Sequence, residues 1–301
     1  MNRKTIGLLS VMAGNIIFGF SFLFSKIALN LTTPTVLIAT RFAVAFLLLN
    51  LIVFIGKSVR KKDGNPLIDF RLKGKPLKPI LTLAICQPVI YFIAEGYGIQ
   101  LTSSSLAGVL IALIPIAGVI ADVCFMHAPV SKKQILCAIA SVAGVFFTTL
   151  GAPAEQSSLL GIVLLLVAVA SGAGFFVLSK KAGKFYNPLE RTYVMFAIGS
   201  AVYVTLALIE NAGNYDRLLT QVYAVPSFWI SIAYLAVVSS VIAFLFLNFG
   251  SGLVSVSQAT IMGSLTTVIS ILAGVCILKE AFTLPQIIGA VIILISVYAG
   301  R

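Results

Sequence analysis

Three polar side chains in one apolar stretch are the residues of this sequence best placed to do chemistry. Gln87, Tyr91 and Glu95 are spaced four residues apart within the stretch 79–101, so a helix there puts all three on one face. A carboxyl group in apolar surroundings can bind a cationic or amino group, or take up and release a proton. Pro88 lies in the same stretch and predicts a kink that frees a backbone carbonyl group. The pattern therefore predicts one wall of a water-filled pathway.

Two basic residues in neighbouring stretches offer a second interpretation of Glu95. Lys26 and Arg41 lie at similar depth in the apolar stretches 5–29 and 34–55, and either could neutralise the carboxylate. In that case Glu95 belongs to a structural ion pair rather than to a site for substrate or protons, and both alternatives stay open. For Lys26 we favour an extended side chain whose ammonium group reaches the polar surface.

Aromatic, hydroxyl and amide side chains elsewhere in the apolar stretches complete the set of candidate site residues. Aromatic rings beside hydrogen-bonding groups are typical of a cavity that binds amphipathic small molecules. The competing interpretation is ordinary helix packing. Beyond the residues already named, the candidates for the cavity wall are Asn15, Phe18, Ser21, Phe22, Phe175, Phe176, Asn248 and Gln258.

The sequence lacks the residue clusters that metal binding and catalysis need. It has four cysteines and one histidine, with no C-x-x-C spacing, so neither a metal site nor a Cys–His catalytic pair is expected. No cluster of His, Asp and Ser with catalytic spacing occurs either. We therefore predict that the protein is not an enzyme and carries no metal and no cofactor.

Composition excludes a soluble protein. Of the 301 residues, 59% are hydrophobic and 10% are charged, whereas soluble domains have about 45–50% apolar and about 25% charged residues. Too few charges remain to cover a surface that faces water. The hydrophobicity is also too high for a disordered chain. The class that remains is an all-α polytopic membrane protein.

Apolar runs long enough to cross a bilayer follow one another along the whole chain. A spanning helix needs about 20 predominantly apolar residues. Between clusters of charge, proline and turn residues we predict ten transmembrane helices, at 5–29, 34–55, 79–101, 104–126, 132–150, 158–179, 191–210, 227–249, 254–278 and 283–300.

The basic residues orient these helices. The net charge of +12 would indicate nucleic-acid binding in a soluble chain, but in a membrane protein it indicates basic cytoplasmic loops. The loops on one side, above all the loop 57–78, hold every basic residue except Lys26, Arg41, Arg217 and Lys279. We therefore predict cytoplasmic N- and C-termini, a lipid bilayer as surroundings and no nucleic-acid partner.

The two halves of the sequence resemble each other. When the sequence is aligned with itself at a shift of 152 residues, identical residues coincide at alternate positions: Leu101 with Leu253, Ser103 with Ser255, Ser105 with Ser257 and Ala107 with Ala259. Each half then holds five helices, an odd number, so the second half crosses the membrane in the opposite sense to the first. We predict two inverted five-helix repeats, residues 1–152 and residues 153–301, which is an architecture typical of alternating-access transport.

Short motifs in both halves point to a known family. They are Phe18-Gly19-Phe20-Ser21 followed by Ser25-Lys26, Arg41-Phe42, the run from Tyr97 to Ala107 with a kink-forming Pro115 after it, Leu278-Lys279-Glu280, and the run from Gln286 to Ala290. Together they resemble the EamA-type ten-helix transporters of the drug/metabolite transporter superfamily. Two positions depart from the pattern: Thr267 stands where the second half would repeat Pro115, and Ala128 stands where an acidic residue matching Glu280 is expected.

The resemblance implies a central cavity surrounded by helices 1, 3, 4, 6, 8 and 9, with helices 2, 5, 7 and 10 outside them. Arg41, on helix 2, is then expected to be structural. The resemblance also implies export or exchange of small organic solutes, such as amino acids, across the inner membrane of a bacterium.

Our hypothesis is a secondary transporter of small organic metabolites that works by alternating access. The alternatives are a non-transporting membrane receptor or scaffold and, within transport, a multidrug or lipid exporter. The small-residue pattern Ala140-x-x-x-Gly144 is compatible with a homodimer.

Overall fold

The computed structural model describes residues 3–59, 68, 70–118, 131–153, 158–251, 253 and 256–299, and within these ranges the regular elements are helices and no strand occurs. The helices are α1 (Arg3–Leu29), α2 (Pro34–Ser58), α3 (Leu77–Gln100), α4 (Ser104–Gly118), α5 (Lys132–Leu150), α6 (Leu159–Ala182), α7 (Pro188–Glu210), α8 (Pro226–Ile242, continued by Ala243–Ser251), α9 (Val256–Cys276) and α10 (Leu284–Ala299). A short helix, Tyr215–Arg217, precedes α8.

Several of these helices have the length and composition of membrane spans. Six of them, α1, α2, α3, α5, α6 and α7, are long and apolar enough to cross a bilayer, and α4, α8, α9 and α10 contain shorter apolar helices. Large apolar side chains on the outside of the bundle are exposed; for Phe54 and Val142 the exposed fractions are 71% and 70%. Such a surface is favourable against lipid and unfavourable in water. The chain is an all-helical, multi-pass membrane protein, and the number of ten crossings stays a prediction.

The helix starts follow from local sequence signals. Thr33, Ser103 and Asn187 each accept a hydrogen bond from a backbone N–H in the first turn of α2, α4 and α7. Pro34 and Pro188 occupy the first position of α2 and α7, where the missing N–H removes no helical bond. These caps satisfy donors that apolar surroundings would otherwise leave without a partner.

Helix α3 is interrupted in its middle. Residues Ile85–Ile90 form a wider π-helical segment, and Gln87 departs from helical geometry with φ −139° and ψ 117°. Pro88, which follows it, has no backbone N–H, so the carbonyl group one turn earlier in the helix loses its helical partner. Tyr203 of α7 binds the C-terminal part of this segment, because its hydroxyl donates to the Val89 carbonyl and, at 3.4 Å, to the Pro88 carbonyl.

A second π-helical segment, Ala233–Ile242, lies in α8. Under the shift of 152 residues it overlaps the irregular segment of α3, so the two breaks lie in equivalent helices. In α4, residues 112 and 113 form a turn just before Pro115. Three of the helices are therefore bent or loosened within their length.

The helices pack in an ordered set of pairs. Helix α1 contacts α8 and α9, while α6 contacts α3 and α4; the remaining main pairs are α2 with α7, α4 with α9 and α5 with α10. When each helix of the first half is exchanged with its counterpart in the second half (α1 with α6, α2 with α7, and so on), the same set of pairs results. This is the pairing expected of two halves related by an approximate twofold axis.

Helices α5 and α10 approach each other especially closely. A Cβ atom at Gly144 would lie 2.7 Å from Ile293 and 2.9 Å from the Gly289 carbonyl oxygen, so only glycine fits there. Gly144, which belongs to the small-residue pattern compatible with a homodimer, therefore faces α10 of the same chain and not a second copy.

Candidate functional site

A cavity of about 560 Å³ lies between the two halves of the bundle. Side chains from both halves line it, and a volume of this size accepts a small organic molecule. The sequence candidates that line it are Asn15, Phe18, Ser21, Phe22, Arg41, Gln87, Tyr91, Glu95, Pro115 and Phe175. The side chains of Phe176, Asn248 and Gln258 lie outside the part of the chain that the structure describes in detail.

The polar face of α3 forms one wall of the cavity. Tyr91 and Glu95 are one helical turn apart, and the Tyr91 hydroxyl donates a 2.8 Å hydrogen bond to Oε1 of Glu95. Tyr91 is buried, whereas Glu95 is partly accessible from the cavity. The carboxylate thus has one fixed donor and an open side, so a bound molecule or a proton can reach it.

Arg41 is held by partners that the sequence analysis did not identify. Its Nε donates to Ser240 Oγ at 3.0 Å and its Nη2 donates to Ser239 Oγ at 3.3 Å. The guanidinium group also lies over the ring of Phe92, 4.8 Å from the centroid, which is a cation–π contact. Among the described residues no ion pair joins Arg41 to Glu95, although both side chains line the cavity.

Lys26 lies away from the cavity, at the end of α3. Its Nζ donates to the carbonyl of Ile99 at 2.8 Å, to that of Gln100 at 3.3 Å and to that of Thr102. The C-terminal carbonyls of a helix lack helical donors, and a lysine ammonium group can satisfy them. Lys26 therefore binds the end of a neighbouring helix. Among the described residues no ion pair joins Lys26 to Glu95, and that its ammonium group reaches the polar surface stays a prediction.

On α1, the polar candidates also hold helices together. Asn15 donates to the Val11 carbonyl at 2.8 Å, and Thr266 of α9 donates to the Asn15 carbonyl and side-chain oxygens at 3.1 Å each. Phe18 packs edge to face against Phe244 of α8, with ring centroids 5.4 Å apart. These side chains contribute to the cavity wall and to helix packing at the same time.

Several cavity residues were missed by the sequence analysis. Helix α7 was expected outside the cavity, yet its first turns contribute Pro188, Arg191, Thr192 and Met195 to the lining, and Ser179 of α6 lies beside them. Short side chains, Pro188 and Thr192, line the cavity beside the long ones, so the helix itself lies close to the cavity at this end; packing of whole helices decides that distance. An arginine just inside the predicted span 191–210 was the available signal.

The cavity ends short of the α3–α4 turn. There Glu280, in the connection between α9 and α10, accepts hydrogen bonds from the backbone N–H groups of Ser104 at 2.8 Å and Ser105 at 3.0 Å, and from Ser105 Oγ at 2.7 Å. A carboxylate at the first N–H groups of a helix is a stabilising cap. This contact closes one end, whereas the lining reaches the other end of the bundle at Ser179 and Pro188.

Comparisons with known proteins identify a family, related transporters and a shared fold. The model of the EamA-like transporter family matches residues 5–150 and residues 159–299. The uncharacterized transporter YcxC of Bacillus subtilis (strain 168) is 30% identical, over 100% of this chain and 94% of its own length. An uncharacterized transporter of Archaeoglobus fulgidus is 25% identical over 93% of each chain. One solved crystal structure superposes with a TM-score of 0.64 at 16% identity, over 97% of this chain and 95% of the other, which shows the shared fold.

Proposed function

Since the chain belongs to the EamA-like transporter family, we propose that it is a secondary transporter that moves small organic metabolites across a cell membrane by alternating access. The observation that carries the proposal is the cavity between the two halves, which combines aromatic walls with a few polar groups and closes at one end. The related proteins are named transporters, which favours transport over catalysis.

The architecture we propose has ten membrane crossings, arranged as two inverted repeats at residues 1–152 and 153–301 with both termini in the cytoplasm. The helix pairing supports it, because the contacts of α1 with α8 and α9 have their counterparts in those of α6 with α3 and α4. The irregular segments in the equivalent helices α3 and α8 support it as well. With this orientation the cavity opens toward the cytoplasm and the Glu280 contact lies at the outer end.

Alternating access then requires the outer contact to break and the inner end to close. Helices α3 and α8 contain π-helical segments in their middle, and π-bulges are a known cause of helix bending, so these helices can bend there at lower cost than regular α-helices. Exchange between an inward-open and an outward-open state would expose the same cavity to each side in turn.

Within this mechanism we propose that Glu95 binds an amino group of the substrate or carries a coupling proton. The structural ion pair is the weaker alternative, because Arg41 has hydroxyl and aromatic partners of its own and Lys26 binds the end of α3. An acidic residue that faces a cavity inside a membrane is costly, and such residues usually serve function.

The test is solute flux in proteoliposomes, with and without a pH gradient, for wild type and Glu95→Gln. Amino acids, nucleosides and organic cations would be screened. We expect pH-driven accumulation to be lost in Glu95→Gln while exchange driven by a solute gradient remains. Glu210→Gln serves as a matched control, because Glu210 is exposed at the end of α7.

Three outcomes separate the alternatives. Equal flux in wild type and Glu95→Gln would remove Glu95 from the coupling mechanism. Absence of flux for every solute would support a receptor or scaffold. Competition by many unrelated apolar compounds, or movement of labelled phospholipid, would support a multidrug or lipid exporter.

A further inference from the structure

We propose that Arg191 and Ser179 form the binding site for the negative charge of the transported molecule, and that the substrate is a small organic carboxylate with an apolar body. The inference rests on the proposed transport function and names its substrate class. The site lies at the end of the cavity where α6 ends and α7 begins.

The cavity is lined by more basic than acidic side chains. Among the described lining residues, Arg41 and Arg191 are basic and Glu95 is the one acidic residue. The lining therefore carries an excess of positive charge, which concentrates anions in a site of low dielectric constant. An organic cation would meet one carboxylate and two guanidinium groups, which is unfavourable.

The guanidinium group of Arg191 is held on one side only. Its Nη1 donates to Ser179 Oγ at 2.6 Å and to the Ser179 carbonyl at 2.9 Å. Among the residues that the structure describes, Nε of Arg191 is buried without an acceptor, and no hydrogen bond of Nη2 occurs. Ser179 thus fixes one terminal nitrogen and leaves the Nε–Nη2 edge without a partner.

This edge has the right chemistry for a carboxylate. Nε–H and one Nη2–H are parallel and match the two oxygen atoms of a carboxylate in a bidentate pair. A buried N–H donor without an acceptor is destabilising, and a carboxylate on this edge would remove that deficit. Arg41 is a poorer candidate, because the same edge of its guanidinium group donates to Ser239 and Ser240.

The remaining wall of the cavity is largely apolar and aromatic. Phe18, Phe175, Phe244 and Met195 line the same cavity, so a molecule whose carboxylate binds Arg191 would place its body against apolar and aromatic surfaces. The wall therefore favours an amphipathic anion over a small, fully hydrated one such as phosphate.

Arg191 differs from the basic residues near it in burial and in its contact with the cavity. Lys181 and Lys184, at the end of α6 and just after it, are exposed and do not line the cavity. Arg191 is partly buried, bonded to Ser179 and part of the lining. Lys184→Gln is therefore a matched control that removes a nearby positive charge without touching the site.

The experiment measures binding to the purified protein in detergent by isothermal titration calorimetry. The probes share one apolar body and differ in the polar group: 3-phenylpropanoate, phenylalanine, 2-phenylethylamine and 3-phenylpropan-1-ol. We expect the two carboxylates to bind and the amine and alcohol to bind at least about tenfold more weakly. Arg191→Gln should raise the Kd of 3-phenylpropanoate about 10- to 100-fold, as expected for loss of a charged hydrogen-bonded pair.

Two further variants guard against a folding defect. Arg191→Lys keeps the charge but loses the paired N–H groups, so its Kd should lie between those of wild type and Arg191→Gln. Ser179→Ala should weaken binding several-fold, because the guanidinium group is no longer held. The unfolding midpoint of each variant without ligand reports whether it is folded.

The proposal is overturned if the amine binds more tightly than the carboxylates, if no carboxylate binds wild type, or if Arg191→Gln and Lys184→Gln bind 3-phenylpropanoate alike. The outcome is separable from that of the transport proposal. Carboxylate binding without flux in proteoliposomes would support the Arg191 site and overturn the transport proposal. Flux of amines without carboxylate binding would support transport and overturn the Arg191 site.

Discussion

At the scale of single residues, the charged groups inside the bundle are stabilised by the polar atoms nearest to them. Arg41 has Ser239, Ser240 and the Phe92 ring, and Lys26 has the carbonyls at the end of α3. A charge in apolar surroundings is costly unless it is hydrogen-bonded, so each long side chain takes the closest set of donors or acceptors. Glu95 is left with one tyrosine hydroxyl and the cavity.

Tyr203 provides a test of the same rule for an uncharged group. It is fully buried, and its hydroxyl donates to the carbonyls of Pro88 and Val89 at the break in α3. Tyr203→Phe should lower the free energy of unfolding by about 1–3 kcal/mol, because a buried carbonyl loses its donor. Unfolding in detergent would be followed by circular dichroism.

Tyr215→Phe is the control for that measurement. Tyr215 is 45% exposed, and its hydroxyl also donates to a backbone carbonyl, that of Leu208, at 3.1 Å. Water can replace that bond, so little change is expected. Equal stability of the two variants would mean that the Tyr203 hydroxyl does not support the interrupted helix.

At the scale of helices, the ends of α3 and α4 are stabilised from other parts of the chain. Lys26 binds the carbonyls at the end of α3, and Glu280 caps the start of α4 from the α9–α10 connection. Four N–H groups at the start of a helix and four carbonyls at its end lack helical partners, and apolar surroundings offer few replacements. Each of these caps therefore joins two helices that are distant in sequence.

Glu280→Gln should weaken the cap of α4. The amide keeps one acceptor oxygen and loses the charge, while Ser104 N–H, Ser105 N–H and Ser105 Oγ–H compete for it. We expect the free energy of unfolding to fall by about 2 kcal/mol, measured in detergent against Glu210→Gln, whose side chain is exposed. A loss no larger than that of the control would show that the carboxylate is dispensable.

At the scale of the whole molecule, the Glu280 contact lies at one end of the cavity, and the alternating access that we propose makes it part of one of two states. The contact of Glu280 with Ser104 and Ser105 joins the second half of the chain to the first at the closed end. If the two halves rock against each other, this contact must open in every transport cycle, because the cavity otherwise has access from one side only.

A reversible cross-link tests that requirement. In a background whose native cysteines are replaced by serine, Ser105→Cys combined with Glu280→Cys would be treated with a short bifunctional reagent that a reductant cleaves. Cross-linking should abolish flux in proteoliposomes and reduction should restore it. The two single-cysteine variants, treated alike, are the control, and undiminished flux in the cross-linked protein would exclude opening at this end.

The helices and the class of protein follow from sequence alone. Apolar length, proline and capping residues are local signals. For that reason the described helices α1 to α10 follow the predicted stretches apart from a few residues at their ends, and the membrane class and the family could be recognised. The polar face with Tyr91 and Glu95 was also predictable, because residues four apart on a helix are neighbours.

Which residues meet across helices was decided by the tertiary structure alone. Arg41 contacts Ser239 and Ser240, which lie 198 and 199 positions away, and Ser104 meets Glu280 at a separation of 176. Spacing within one helix does not encode how far that helix is rotated or how close its neighbour lies; packing of whole helices sets both. For that reason Arg191, on a helix expected outside the cavity, became part of its wall only in the folded chain.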